Sequence, residues 1–404
     1  MQTRLILAAL RKHRLATLLI TMEIALACAV LCNACFMIAI RLQGMRIVSG
    51  VDESSLATVQ LTGYEPTQAA DVDARALAAL RAVPGLQSVS VLNSIPFGSR
   101  RGTAGITTDA EGKHSGGVIE FYVGGPGSLQ ALGARVIAGR MPQADDFQTF
   151  DSLVPAGGQV QITQALAAHL WPGENPLGKQ FWLLKSHFRV VGVLKDLVRP
   201  DPSRWLPQER QWSVFVPAQP GPYLSGSYLL RAAPADLPRV LRDALAALAK
   251  AVPEVVIDRE NSHTLPELRH EVFRTDRVMT GILLGVIAAL LLVTALGIVG
   301  LVSFWVAQRR KQIGIRRALG ATRADILQYF QTENFLIVTF GVALGVVLAI
   351  AINLGLMSFF EVPRLPLWYL PVGAIALWLL GQLAVLAPAL RAAAVPPVVA
   401  TRGV

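Results

Sequence analysis

Few residues of this 404-residue chain stand in a pattern that can do chemistry, and the clearest is Gly173-Glu-Asn-Pro-Leu-Gly178-Lys179. Glycines and a lysine at this spacing cradle nucleotide phosphates, with backbone N–H groups and the ammonium on the phosphate oxygens. Three features oppose that chemistry here. Gln180 stands where a Ser or Thr would bind the metal, Pro176 removes an N–H donor, and no helical pattern follows. His270-Glu271 opens like a zinc-binding metalloprotease helix, but Arg274 stands in place of the second histidine, so a charged, solvated helix face is expected. His13, His114, His169, His187 and His263 are scattered without ligand spacing, and no nucleophile stands beside a base. Cys28, Cys32 and Cys35, spaced four then three in one apolar run, share a helix face and are expected to pack as small apolar residues. The chain is therefore read as non-catalytic, with no metal and no cofactor of its own.

Part of the chain must lie in lipid. Hydrophobic residues make up 53% of the chain and charged residues 16%, unusual for a water-soluble protein. Leu15 to Ile40 exceeds the roughly 30 Å hydrocarbon core, and three further apolar runs follow at the far end: Val278 to Val306, Phe335 to Phe360 and Leu367 to Leu390. The net charge of +10 suits nucleic acid or a membrane topology, and its location decides for the second. Arg4, Arg11, Lys12 and Arg14 precede the first run; Arg309, Arg310, Lys311, Arg316, Arg317 and Arg323 follow the second against Asp325 alone; the turn Glu361 to Pro366 holds only Arg364. The positive-inside rule then predicts both termini and the basic loop inside, the long middle outside, and no nucleic-acid partner. Within the first run, Glu23 and Asn33 are costly in lipid and are expected to face protein or a pore, with Glu23, near the inner end, either snorkelling to the interface or meeting a helix.

The chain divides accordingly. Residues 1–45 hold the inner N-terminus and first span, 46–265 an outer domain, and 266–306 a stalk and second span. Residues 307–334 form an inner basic segment, 335–360 and 367–390 the third and fourth spans, and 391–404 an inner tail. In the outer domain Thr58 to Thr62, Thr67 to Val83 and Leu86 to Leu92 read as strand, helix, strand. Trp212 to Val216 and Ser227 to Arg231 read as strands, followed by a helical stripe Leu237, Val240, Leu241, Ala244, Leu245, Leu248, Val252 and the strand Val255 to Ile257. Two β-α-β halves would form one α/β layer, with a β-rich lobe inserted at about 104–207. Leu265 to Val306 reads as one continuous helix, about 60 Å long at 1.5 Å per residue. Its first third alternates charge through Glu267, Arg269, Glu271, Arg274, Asp276 and Arg277, as a solvated stalk does, whether it carries motion or only supports.

The most specific run lies inside. Gln312, Ile313, Gly314, Ile315, Arg316, Arg317, Ala318, Leu319, Gly320 and Ala321 form a short basic helix that Gly320 suits as a C-terminal cap, and Thr322 to Asp325 fits a capping box for the next helix. Such a helix presses into a soluble partner or onto anionic lipid. This run resembles the E-I-G-I-R-R-A-L-G-A hallmark of the FtsX-like, MacB-type permeases of ABC transporters, the mechanotransmission class, with Gln312 in place of the usual acid. Asn175 to Lys179 with Phe188 to Val193, Ala138-Gly-Arg140, Pro388 to Ala394 with Pro396-Pro397, and the order of one span, large domain, three spans are also similar to that family.

The resemblance implies an α-helical membrane protein of a bacterial inner membrane, with four transmembrane helices and a large α+β periplasmic domain. It implies a homo- or heterodimer of permease subunits resting through Gln312 to Ala321 on a cytoplasmic ABC ATPase that binds ATP and Mg. A periplasmic membrane fusion protein and outer-membrane channel are implied for export of drugs, peptides or lipid-linked substrates. Two alternatives keep other classes open: an FtsX-like signalling subunit controlling a periplasmic hydrolase, and a receptor or scaffold without ATPase, which the Ile313 to Ala321 run disfavours.

Overall fold

The computed structural model describes residues 14–100, 102–149, 157–360 and 363–394. The basic residues expected at 4–12 and the closing Pro396-Pro397 lie outside them. The described residues fall into two compact units, one holding the chain up to Gln43 and from Asp276 onward, the other Gly44–Thr275.

The first unit is helical. Among the described residues four helices are long and apolar enough to cross a membrane: α1 (Arg14–Met45), and, later in the chain, α7 (Arg274–Gln308), α9 (Arg323–Phe360) and α10 (Tyr369–Ala393). In lipid there is no hydrophobic force between helices, so they associate through small residues that let backbones approach. A Cβ on Gly345 of α9 would lie 2.5 Å from Cys28 Cβ and 2.8 Å from the Ala25 carbonyl of α1. Gly341 faces Ile24 in the same way, and Gly373 of α10 faces Cys32. Cys28 and Cys32 are buried, the packing role expected of them. Two amides bridge the helices: Asn33 Nδ2 donates to Ala349 O (3.1 Å) and Asn334 Nδ2 to Gly381 O (3.0 Å). Glu23 packs on α7, its Oε2 lying 2.8 Å from the position a Cβ on Gly297 would take. Asn33 and Glu23 therefore both face protein. α7 itself turns mostly outward, exposing Ile282, Leu284, Leu292 and Leu296 as lipid requires.

The second unit is mixed α/β. Strands β1 (Leu56–Thr62), β2 (Leu86–Val91), β10 (Ser227–Ala232) and β11 (Val256–Asp258) form an antiparallel sheet in the order β11-β1-β10-β2. Helix α2 (Ala69–Arg81) connects β1 to β2 and α5 (Leu237–Ala251) connects β10 to β11. These are the two expected β-α-β halves, interleaved so that each pair of parallel strands is split by one strand of the other. The predicted stripe on α5 is real: Val240, Leu241, Ala244 and Leu248 are buried with Val59, Leu61, Ala76 and Leu80.

Between the halves runs a lobe of seven strands, β3 (Thr103–Thr107), β4 (Ser115–Gly124), β5 (Val136–Gly139), β6 (Gly158–Thr163), β7 (Gln180–Leu183), β8 (Ser186–Leu194) and β9 (Ser213–Pro217), with the short helices α3 (Ser128–Leu132) and α4 (Gln164–Leu170) among them. Their order is β5-β8-β6-β9-β4-β3-β7, and β7 returns to pair with β8, closing six of them into a ring. Phe181, Phe188 and Phe121 fill it, with Phe181 and Phe188 stacked at 5.3 Å. One expectation needs correction: the strand at Trp212 to Val216 belongs to this lobe, which extends to Pro217. An isolated apolar strand carries no mark of which sheet it joins, and its parallel pairing with β4 decides it.

An ion pair with a buried carboxylate and a half-buried guanidinium secures the lobe. Arg140 holds Asp146 with two bonds, Nη1 to Oδ2 (2.5 Å) and Nη2 to Oδ1 (2.8 Å), and the Asp146 side chain is 1% exposed. Arg140's bonds, then the backbone N–H of Gln143, hold the Asp146 carboxyl below its ordinary range despite burial. The folded pKa thus lies below the unfolded one, so the stability this pair adds is present above about pH 4 and lost as pH falls through the folded value. Arg140→Met is expected to lower stability at neutral pH by roughly 1–3 kcal/mol and to flatten its acid dependence, measured by unfolding of the full chain in detergent across pH. In the helical unit, Gly345→Leu is expected to cost roughly 1–3 kcal/mol by overpacking, whereas Gly355→Leu, with nothing within 4 Å of its Cβ position, is expected to leave the melting temperature nearly unchanged.

Candidate functional site

The basic segment between α7 and α9 folds as a short helix α8 (Arg310–Ala318), set off from α7 at Arg309. Its end is a Schellman motif: Gly320 takes φ 98°, its N–H donates to Arg317 O (3.2 Å), and Ala321 N–H donates to Arg316 O (3.1 Å). The predicted capping box follows, with Thr322 N–H on Asp325 Oδ2 (2.8 Å) and Asp325 N–H on Thr322 Oγ1 (3.2 Å). From there α9 runs without a break, so the inner helix expected near Ile326 and the third span are one helix. Nothing in the chain from Arg323 to Phe360 interrupts helix geometry, and Glu333 inside it finds a partner.

That partner anchors the site. Arg309 Nη1 lies 3.0 Å from Glu333 Oε2 and 3.3 Å from Tyr329 Oη, and its guanidinium lies 5.7 Å from the Trp305 ring centroid. Glu333 is 1% exposed and Trp305 2%. This ion pair fixes where α8 leaves α7. Arg316 lies over the Tyr329 ring at 5.1 Å, and Arg317 Nη1 donates to Ala393 O (2.9 Å), where the unpaired carbonyls at the end of α10 favour a cation. Ile313 and Gly314 are buried against the helices and Ala321 is half-buried.

The rest of the run faces out. Gln312, Ile315, Arg316, Ala318, Leu319 and Gly320 are exposed, as are Arg310 and Lys311. Ile315 and Leu319, one turn apart, are 46% and 83% exposed, an apolar ridge flanked by cations. Sequence reasoning missed Trp305, Tyr329 and Glu333 as the frame of this site. The signal for them was Glu333, an acid past the capping turn of an otherwise apolar helix near a basic loop.

Residues 25–248 match the MacB-like periplasmic core domain, and residues 284–397 match the FtsX-like permease C-terminal region. The chain belongs to the family of FtsX-like, MacB-type permeases. Among curated relatives, the macrolide export ATP-binding/permease protein MacB of Bdellovibrio bacteriovorus is 28% identical over 205 residues, covering 48% of this chain and 30% of that protein. The uncharacterized ABC transporter permease YknZ of Bacillus subtilis is 26% identical over 259 residues, covering 61% of this chain and 62% of that one. The chain spans about a third of the length of the MacB proteins it matches. The extracellular domain of a YknZ transporter from Gram-positive bacteria aligns with 50% of this chain and 98% of its own at 15% identity, with a TM-score of 0.33.

The residues read as a stalk sit differently from expectation. Leu265–Val272 is a separate helix, α6, and the chain breaks at Phe273 (φ −94°, ψ 12°) before α7. No Gly or Pro marks the break; Phe273 is 3% exposed, drawn into a core with Phe97, Leu265 and Leu268. Glu267, Glu271, Arg274 and Arg277 are exposed as a solvated face requires, but Arg269 is half-buried and bonded. Glu267 closes a capping box with Thr264, and Glu271 pairs with Arg274 at 3.3 Å. The phosphate-loop look-alike is a connection into strand β7: Gly178 N–H donates to Val190 O (2.8 Å) and Lys179 pairs with Glu174.

Gly320→Val is expected to strain the left-handed turn by about 1 kcal/mol or more, seen as a lower melting temperature of the detergent-solubilised chain than in Gly355→Val, where no positive φ is required.

Proposed function

We propose that this chain is the permease subunit of an ABC transporter and that the exposed face of α8 is where a separate cytoplasmic ATPase docks. The observation that carries the reading is the Ile315/Leu319 ridge, left in solvent within a cationic surround whose other side is locked to α7, α9 and α10. An apolar ridge beyond the end of lipid-length helices fits a soluble partner's groove. Gln312 lies exposed at the head of this face, so the neutral amide where the family usually has an acid alters the contact surface and not the fold. The excess of Arg and Lys on this segment supports its placement on the cytoplasmic side, with both termini inside and the α/β domain in the periplasm.

On this reading ATP and Mg are bound by the partner, two permease subunits pair, and closure of the ATPase displaces the helices that carry the α/β domain. Relatives named for macrolide export support an export role for drugs, peptides or lipid-linked substrates, with a membrane fusion protein and outer-membrane channel as further partners.

The test is affinity purification of the tagged chain in mild detergent with mass spectrometry of what remains bound. An ABC ATPase is expected with the wild type and at least tenfold less with Leu319→Asp, whose melting temperature stays close to wild type because the side chain is exposed. Reproducible absence of an ATPase from intact protein would overturn the permease reading. Undiminished recovery with Leu319→Asp would move the contact off this face.

A further inference from the structure

The chain passes between its two units twice, at Gln43–Gly44 and at Thr275–Asp276. Within the α/β unit, one side chain of α6, the helix that leads to the second connection, bonds to the chain just past the first. Arg269 of α6 donates from Nη1 to Glu53 Oε1 (2.5 Å) and from Nη2 to the carbonyls of Met45 (2.8 Å) and Ile47 (2.7 Å). Met45 ends α1, and Ile47 begins the linker to β1. The same guanidinium lies over the Phe97 ring at 5.2 Å, and Phe97 meets Phe273, the residue at the α6 break, edge-on at 6.1 Å.

Each partner suits the task. Carbonyls at a helix C-terminus lack intrahelical donors and favour a cation, so Arg269 satisfies Met45 where α1 leaves it open and takes Ile47, two residues on, with the same nitrogen. A guanidinium is a planar fork that bonds several acceptors at once, whereas an ammonium is a point charge on a flexible stem. α6 is in turn fixed to the sheet, with Thr58 N–H on His263 O (2.9 Å) and Ala57 bridged to Thr264. The linker is gripped on another side by Val198 N–H on Ser49 O (2.9 Å) and Gln211 Nε2 on Val48 O (2.6 Å).

We propose that Arg269 is the positioning residue that clamps the two connections together, so that the exit of α1 and the helix leading to α7 move as one body with the four-stranded sheet. A pull on the first connection then reaches α6 through these three bonds, and α6 passes it to β1 at Thr58 and Ala57. Only the sequel rests on the permease reading: there, the clamp makes the α/β domain respond to α1 and α7 jointly and not to either alone.

The experiment uses the full chain in detergent, with Cys28, Cys32 and Cys35 replaced by Ala and spin labels at Val48 and Glu271, both exposed. The label distance is expected to be single and narrow, to broaden at least twofold in Arg269→Met, and to broaden less in Arg269→Lys, which keeps the charge but not the fork. Glu53→Gln, which weakens one bond of three, is expected to broaden it least. Where Arg269→Met fails to fold, the graded order of the Lys and Gln variants carries the test. Widths equal to wild type in every folded variant would overturn the clamp. The measurement needs no ATPase, so a missing ATPase counts against the proposed function alone, and an unchanged width counts against the clamp alone.

Discussion

Lipid cannot hydrogen-bond a peptide group, and most of this molecule's arrangement follows from that constraint. Every stretch at membrane depth must satisfy its own backbone, so the apolar runs form unbroken helices and irregular backbone is confined to their ends. α9 illustrates the force of it: a capped helix and a span that look separable in the sequence fuse into Arg323–Phe360, because a break would leave N–H and C=O groups unpaired. Attraction between such helices then has to come from close approach and a few polar contacts. Gly341, Gly345 and Gly373 supply the first, and Asn33 and Asn334 the second.

Charge is managed at the ends of the same helices. Glu333 is buried within α9, and Arg309 meets it from the end of α7, backed by Trp305 and Tyr329. A carboxylate removed from water needs such a partner, and the partner's position sets where α8 begins. Arg309, Arg317 and buried Ile313 tie down one side of α8, and Ile315 and Leu319 stand exposed on the other. A related economy appears in the α/β unit, where Arg269 takes the open Met45 carbonyl that ends α1 as an acceptor and so turns an unsatisfied helix terminus into an attachment.

The α/β domain is built on a different principle. Its two β-α-β halves interleave into one sheet, and the seven-stranded lobe grows from the connection between them. Water covers its surface, so burial of Val59, Leu61, Val240 and Leu248 drives the layer together, while the lobe closes around stacked phenylalanines.

Read alone, the residues determined the parts whose physics is local. Four spans follow from run length against bilayer thickness, the stripe on α5 from helical periodicity, the turn at Gly320 and the capping box at Thr322 from the dihedrals and side-chain reach those residues allow. The basic run from Gln312 to Ala321 was legible as a surface helix for the same reason. What only the tertiary structure decided involves partners far apart in the chain: β9 joining the lobe, Glu333 meeting Arg309, and Arg269 holding Met45, Ile47 and Glu53 where its charge pattern read as solvated stalk. The break at Phe273 belongs with these, since no residue there disfavours helix, and it is the depth of the Phe97 and Leu265 core that draws the ring in. Local rules assign a residue its element, but whether a charge or a ring finds a better neighbour than water depends on what the fold brings beside it.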